Sequence, residues 1–335
     1  MNNCPKVSVI IPVYNAGHRL KACIESLVHQ TLKELELIFV LDCPTDGSDK
    51  MVFEYANQYE NITVLVNDRN LNIGLSRNKG LHVANGEYVA FCDHDDVVKP
   101  DMYEQMFKVG CMENADIVLG VPEYSYEDTS LNRIYYYPQE GDIKNTLLPL
   151  IIGKDLSMKG WEFYFSHGVI WDNIYRRKMI KDHQIQFVDN NLITYEDNLF
   201  LIDCLANCNK AIVYNKLVYN HTIEDSNTAS TGAYNDTNKV MSYISYLNNL
   251  LSKNGIKEKY IGNFKNSVLS YVKDCYRSEF SNRDVGNLKK QLDIIKSNPD
   301  VKTLFANICM SDYVKDSRSF AGKFIQGIIF QYLKK

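Results

Sequence analysis

Glu87-Tyr88-Val89-Ala90-Phe91-Cys92-Asp93-His94-Asp95-Asp96 joins an apolar run to an acidic turn. Tyr88 to Cys92 carries no charge and is rich in β-forming residues, which predicts a buried strand. Three carboxylates, Asp93, Asp95 and Asp96, then follow within four residues. Left unpaired they would repel one another and raise each other's pKa. A divalent cation with oxygen ligands, Mg2+ or Mn2+, reverses that cost. An acidic surface turn has the same composition, but in open α/β sheets ligands sit outside the carboxyl ends of strands, where these acids fall.

Upstream of this stretch, short apolar runs alternate with amphipathic ones, the pattern of βα units around a mostly parallel sheet. Val7 to Ile11, Leu35 to Leu41 and Ile62 to Val66 read as strands. Leu20 to Val28, Met51 to Tyr59 and the segment carrying Leu75, Leu81 and Val83 read as helices, the last ending at a C-cap near Asn85-Gly86. Downstream, Pro100 opens a helix to about Met112 and Ala115 to Val121 forms a strand. Residues 122–145 read as a polar excursion or lid. Val169 to Tyr175 and Ala211 to Tyr219 are strands, with a helix from Glu196 to Ala206 between them. Residues 225–238 are polar, and the remainder is helical in pattern. The expected division is therefore 1–115, 116–225 and a helical region 226–335.

The 335 residues, 45% hydrophobic, suffice for an α/β domain with an appended piece. A net charge of −4 provides no global basic field, which argues against nucleic acid as partner. The nine cysteines form no CxxC pair and read as free thiols, without structural zinc. The N-terminal residues lack the pattern of a signal peptide, so a cytoplasmic location is expected, and no apolar run is long enough to span a bilayer.

Val-Ser-Val-Ile-Ile-Pro-Val-Tyr-Asn at 7–15, an Asp-bearing loop after the second strand, Ser76-Arg77-Asn78-Lys79-Gly80, Gly86-Glu87-Tyr88 and Asp93-His94-Asp95-Asp96 occur in that order. Together they resemble the family 2 glycosyltransferases. The resemblance implies a GT-A fold, a UDP-linked nucleotide-sugar donor, a divalent metal, and inversion at the anomeric carbon. It places Asp93 on the ribose side and Asp95 at the metal and diphosphate, with Asp96 supporting and His94 directed at substrate or solvent. Pro12 and Tyr14 border the base or ribose. An acid after strand two reads the nucleotide, Asp42 in this reading, although Leu41 and Cys43-Pro44 depart from the family pattern and Asp46 is also near. Arg77 suits a diphosphate.

Inverting transfer also needs a base for the acceptor hydroxyl. Glu196-Asp197, opening an apolar helix, is similar to the family's acidic pair, and Asp197 is the candidate base; acids in a first turn are equally stabilised by the helix dipole. His221 is a candidate third metal or diphosphate contact, since imidazole can ligate Mn2+. Trp171, Asn173 and Arg176 are candidate acceptor-lining residues, Trp171 equally a core residue. The expected acceptor is a glycan or lipid-linked oligosaccharide. In the tail, Phe320, Phe324, Ile325, Ile328 and Leu333 share much of one helical face, and Lys323 with the terminal lysines can meet anionic lipid, so 318–335 is either an interfacial anchor or a helix packed on its own protein. A nucleotidyltransferase is the rival enzyme reading, though Pro12 to Gly17 is no Gly-rich basic phosphate loop, and a catalytically inactive glycan- or nucleotide-binding scaffold is the non-enzymatic one.

Overall fold

The computed structural model describes residues 4–126, 132–134, 136–137, 141–153, 168–223, 236–282, 285–314 and 320–334. The chain forms two compact units. The first comprises Met1–Ile151, Lys159–Asn191 and Glu196–Thr228, and the second Ile152–Met158, Leu192–Tyr195 and Ala229–Lys335.

The first unit is built on a mixed sheet of β1 (Val7–Val13), β2 (Leu35–Leu41), β3 (Ile62–Val66), β4 (Tyr88–Phe91), β5 (Val97–Val98), β6 (Ile117–Tyr126), β7 (Asn132–Ile134), β8 (Gly141–Asp142), β9 (Asn173–Arg176) and β10 (Ala211–Ile223). Its main path runs β3-β2-β1-β4-β9-β6-β10-β5. β3, β2, β1 and β4 pair in parallel, β9 runs antiparallel between β4 and β6, and β10 is parallel to β6. The strand ends that carry chemistry therefore share one edge. Every residue of β1 is buried, as a central strand covered on both faces requires. Among the described residues the helices of this unit are α1 (Leu20–Val28), α2 (Ser48–Ala56), α3 (Asn72–Val83), α4 (Met102–Met112), α5 (Lys144–Ile152), α6 (Arg177–Asp182) and α7 (Glu196–Asn207).

The mostly parallel α/β architecture expected from the sequence is thus present, with local differences. Residues 122–126, expected in an excursion, continue β6 along β10, because Tyr124 is buried against the rings of Trp171 and His221. β10 likewise runs four residues past Tyr219, which brings His221 into the sheet. Gly86 is not a left-handed cap, since α3 ends at Ala84 with φ −57°. Its missing side chain instead allows close approach to β1: a Cβ there would lie 2.5 Å from the Ser8 backbone nitrogen, and the Gly86 N–H donates to Ser8 Oγ at 2.8 Å. Most of 225–238 lies outside the described residues.

The second unit contains α8 (Thr237–Lys253), α9 (Ile261–Asn282), α10 (Val285–Ser297), α11 (Pro299–Asn307), α12 (Met310–Val314) and α13 (Phe320–Lys334). Asp236 caps α8 by accepting from the Asn238 and Lys239 backbone N–H groups, and Asn298 caps α11 in the same way, with Pro299 opening the helix. Phe330 packs on Phe305 and Tyr313 at ring distances of 5.7 Å. The expected apolar face of the tail is therefore divided: Ile329, Phe330 and Leu333 turn inward, while Ile328 is exposed. The side chains of Phe320 and Phe324 lie outside the described set. Among the described residues no helix is long and apolar enough to cross a membrane.

A Cβ at Gly80 of α3 would stand 2.4 Å from Ile10 Cγ2 of β1, while one at Gly262 of α9 would meet nothing within 4 Å. Gly80→Ala is expected to lower the unfolding free energy by about 1–3 kcal/mol through overpacking. Gly262→Ala should leave it unchanged or raise it, and urea denaturation of both variants checks the contrast.

Candidate active site

The carboxyl ends of β1, β2 and β4 and the last turn of β10 bring together Pro12, Tyr14, Asp42, the four residues 93–96 and His221. Two backbone bends shape this edge. Asn15 and Cys43 hold φ of 46° and 57°, uncommon values for residues with side chains, directly after Tyr14 and Asp42.

Asp42 is buried, and its Oδ1 accepts from Asn67 Nδ2 and from the Leu71 backbone N–H, both at 2.7 Å. Asn67 also donates to Ser76 Oγ at 2.9 Å, so the acid is locked to the start of α3. Asp46 is committed elsewhere: it accepts from the Gly17 N–H at 2.8 Å and from Ser48, tying the turn after β1 to the first turn of α2. Tyr14 is about half exposed at 48%, beside this edge. His94 is held by a hydrogen bond of 3.0 Å from its Nδ1–H to the Pro12 carbonyl oxygen, which fixes the imidazole over the end of β1.

Arg77 does not reach outward. Its guanidinium is buried within the unit, donating from Nη2 to Asp93 Oδ1 at 2.9 Å and from Nη1 to Glu196 Oε1 at 3.0 Å, with its plane over the Phe187 ring at 5.4 Å. Burial opposes its charge, but Asp93, Glu196 and Asp197 outweigh that cost and hold its pKa above the ordinary value. The neighbouring Asn78 makes a reciprocal pair with the Phe187 backbone, donating to its carbonyl at 2.8 Å and accepting from its N–H at 2.9 Å. The Gly74 N–H donates to Asn190 Oδ1 at 2.8 Å. α3 is thus fastened to the segment leading to α7. Asp197, half-buried in the first turn of α7, accepts from the Asn198 N–H at 2.7 Å.

The three acids after β4 have three environments. Asp93 carries Arg77. Asp96 is fully buried and accepts from Tyr219 Oη at 2.9 Å, from His221 Nδ1 at 3.0 Å and from the Thr222 N–H at 3.1 Å. Burial pushes the Asp96 carboxyl up against the lowering effect of His221. Burial also opposes the charge on His221, but the Asp96 hydrogen bond, with Asp93 and Asp95 behind it, raises the imidazole above its usual value. Asp95 remains 40% exposed, with Arg19 Nη1 3.9 Å away.

Trp171 stacks on His221 at 4.9 Å and on Tyr219 at 4.5 Å, which orients the imidazole and makes Trp171 part of the packed interior. Asn173 is buried and donates to the Val169 carbonyl and to Tyr175 Oη. Arg176 lies at the opposite end of β4, paired with Tyr88, where it binds Glu87, Asp116 and Tyr88 Oη. The structure does not bring it to the acidic edge. Between Trp171 and Asn173 sits a residue that the sequence did not flag: Asp172 is fully buried and neither carboxylate oxygen has a hydrogen-bond partner among the described residues.

The family model for glycosyl transferase family 2 matches residues 8–183, more than half of the chain. The chain belongs to this family. A glycosyltransferase of Escherichia coli (strain K12) described as uncharacterized, YibD, is 27% identical over 303 residues, which cover 90% of this chain and 83% of that one. Among solved structures, the fold resembles Staphylococcus aureus TarS 1–349 in complex with UDP-GlcNAc, with a TM-score of 0.73 at 20% identity, covering 98% of this chain and 90% of that one. It also resembles a mannosyltransferase from Pyrobaculum calidifontis in complex with GDP-Man and Mn2+, with a TM-score of 0.50 at 14% identity, covering 99% and 86%. The protein is a glycosyltransferase enzyme of this family.

Arg77→Met leaves two carboxylates without their buried partner and is expected to cost about 3–5 kcal/mol in urea denaturation. Asp172 has the opposite effect. Burial pushes its carboxyl well above the usual carboxylate range, so above about pH 4 the folded chain keeps a proton that the unfolded chain has lost. Stability from this group therefore falls as pH rises toward the folded-state pKa. Asp172→Asn should stabilise the protein by about 1–3 kcal/mol at pH 8 and by less at pH 5, measured by urea unfolding at both pH values.

Proposed function

We propose that this glycosyltransferase moves a sugar with inversion from a UDP-linked donor to a hydroxyl of a glycan or lipid-linked glycan in surface polysaccharide synthesis, on the cytoplasmic side. The observation that carries the reading is the buried Arg77 fork, which joins Asp93 of the nucleotide edge to Glu196 at the start of α7. Donor recognition and proton removal then fall in one site.

In this reading Asp42, locked by Asn67 and the Leu71 N–H, contacts the nucleoside, with Tyr14 and Pro12 beside the base and Asp93 near the ribose. His94, fastened to Pro12, closes the end of β1. Asp197 takes the proton of the acceptor hydroxyl while that oxygen bonds to the anomeric carbon and the bond from carbon to the diphosphate oxygen breaks. Glu196 is engaged by Arg77, which leaves Asp197 as the neighbouring carboxylate placed to receive the proton.

Among the described residues no group of three His, Cys, Asp or Glu side chains forms a metal cage. Cations that act on phosphates commonly use only one or two protein ligands and the substrate's own oxygens, and imidazole suits Mn2+. Asp95 and His221 fit that smaller set: Asp95 is partly exposed, and Asp96 holds His221 through Nδ1, so Nε2 would be the ligating nitrogen once the imidazole has given up its second proton in favour of the incoming cation. When bound, Mn2+ or Mg2+ would neutralise charge on the departing diphosphate.

The test is UDP-sugar hydrolysis across a donor panel, with and without Mn2+. Asp95→Ala is expected to abolish the metal-stimulated rate. Asp197→Asn should lower transfer to an acceptor by about 100-fold or more while leaving UDP affinity within about threefold. Hydrolysis that is metal-independent and survives Asp95→Ala contradicts the reading. Nucleotide binding without turnover on every donor supports the inactive-scaffold alternative.

A further inference from the structure

The overall charge of −4 conceals a segregation. Ala229–Lys335 holds 17 Lys and Arg residues against 9 Asp and Glu, a net +8, which leaves −12 for the rest of the chain. The first unit contains cations of both kinds: Lys6, Arg77, Lys99, Lys108, Arg176 and Lys210 each sit against a carboxylate, whereas Lys21, Lys50, Lys181 and Lys216 form no ion pair among the described residues. In the second, Lys289, Lys290, Lys296, Lys302, Lys323 and Lys334 form no ion pair among the described residues. They stand on α10, α11 and α13, three helices packed on one another. The Lys296 ammonium lies over the Tyr332 ring at 5.0 Å and that of Lys334 over Phe330 at 5.5 Å, so these two meet aromatic faces instead of an acid.

Apolar side chains are exposed on α13 and on α12, which packs against it. Ile328 of α13 is 57% exposed and Met310 of α12 is 45% exposed. Met310 lies against Gly327, the residue before Ile328: a Cβ on Gly327 would stand 3.3 Å from Met310 Sδ. A hydrated polyanion has no use for an apolar pair, and tight phosphate recognition favours the planar fork of Arg over flexible point charges. Unpaired lysines and exposed apolar side chains on one set of packed helices suit a diffuse negative potential with an apolar layer beneath it.

We propose that the helical unit docks peripherally on an anionic bilayer surface, with its lysines at the headgroups and Met310 and Ile328 at the acyl boundary. This goes beyond the catalytic reading and does not depend on it.

The test is vesicle flotation of the full chain with phosphatidylcholine alone and with 30% phosphatidylglycerol, at about 0.1 and 0.5 M NaCl. Binding is expected only to the anionic vesicles, and the higher salt should weaken it by at least about tenfold. Each surface lysine removed should cost about fivefold, so the combined Lys289→Ala, Lys290→Ala, Lys302→Ala and Lys323→Ala variant should lose at least about 100-fold. All four side chains are exposed, and thermal melting with circular dichroism verifies the variant's fold. Met310→Ser with Ile328→Ser should weaken binding while preserving its salt dependence. Equal binding to both vesicle types, or full binding by the folded lysine variant, overturns the proposal. Retention by polyphosphate or nucleic acid without vesicle binding also overturns it and assigns the surface to a soluble polyanion.

Discussion

A guanidinium cannot be buried alone, and Arg77 is buried with two carboxylates from distant parts of the chain. Glu196 is 119 residues away in sequence, Asp93 only 16. One side chain therefore fastens the acidic edge of the sheet to the first turn of α7. The reciprocal Asn78 and Phe187 bonds and the Gly74 to Asn190 bond repeat that attachment along α3, so the geometry does not rest on charge alone.

This interaction also resolves the crowding of Asp93, Asp95 and Asp96. Three acids in four residues demand positive charge, and the protein itself supplies much of it. Asp93 is matched by Arg77, and Asp96 by His221 together with Tyr219 and a backbone N–H. Asp95 keeps the most exposure of the three, which makes it the acid best placed to meet a ligand. The Trp171 stack, the buried Asp96 and the imidazole form one continuous support under that position.

Much of this was legible in the sequence. Strand and helix periodicity located β2, β3, β4, α1 and α7, and the ordered motifs pointed to the family that the comparison then showed. Less legible was what each side chain meets. Arg77 and Arg176 look alike in sequence, yet one is enclosed by acids at the site and the other clamps Tyr88 at the far end of β4. Spacing carries no information on partners more than 100 residues away, so the Arg77 to Glu196 bond had no local signal. Asp172 was equally silent, since a single acid in an apolar strand reads as a surface position. The charge segregation was available from the residues alone, but the whole-chain total sums +8 and −12 to −4 and hides it.

The claim that Arg77 welds two parts into one site is most directly tested by a double-mutant cycle on Asp93→Asn and Glu196→Gln, read as unfolding free energy in urea. With a shared buried guanidinium, the two losses should be non-additive by about 1 kcal/mol or more. Additivity within about 0.3–0.5 kcal/mol would show that the two carboxylates act independently and would contradict the account.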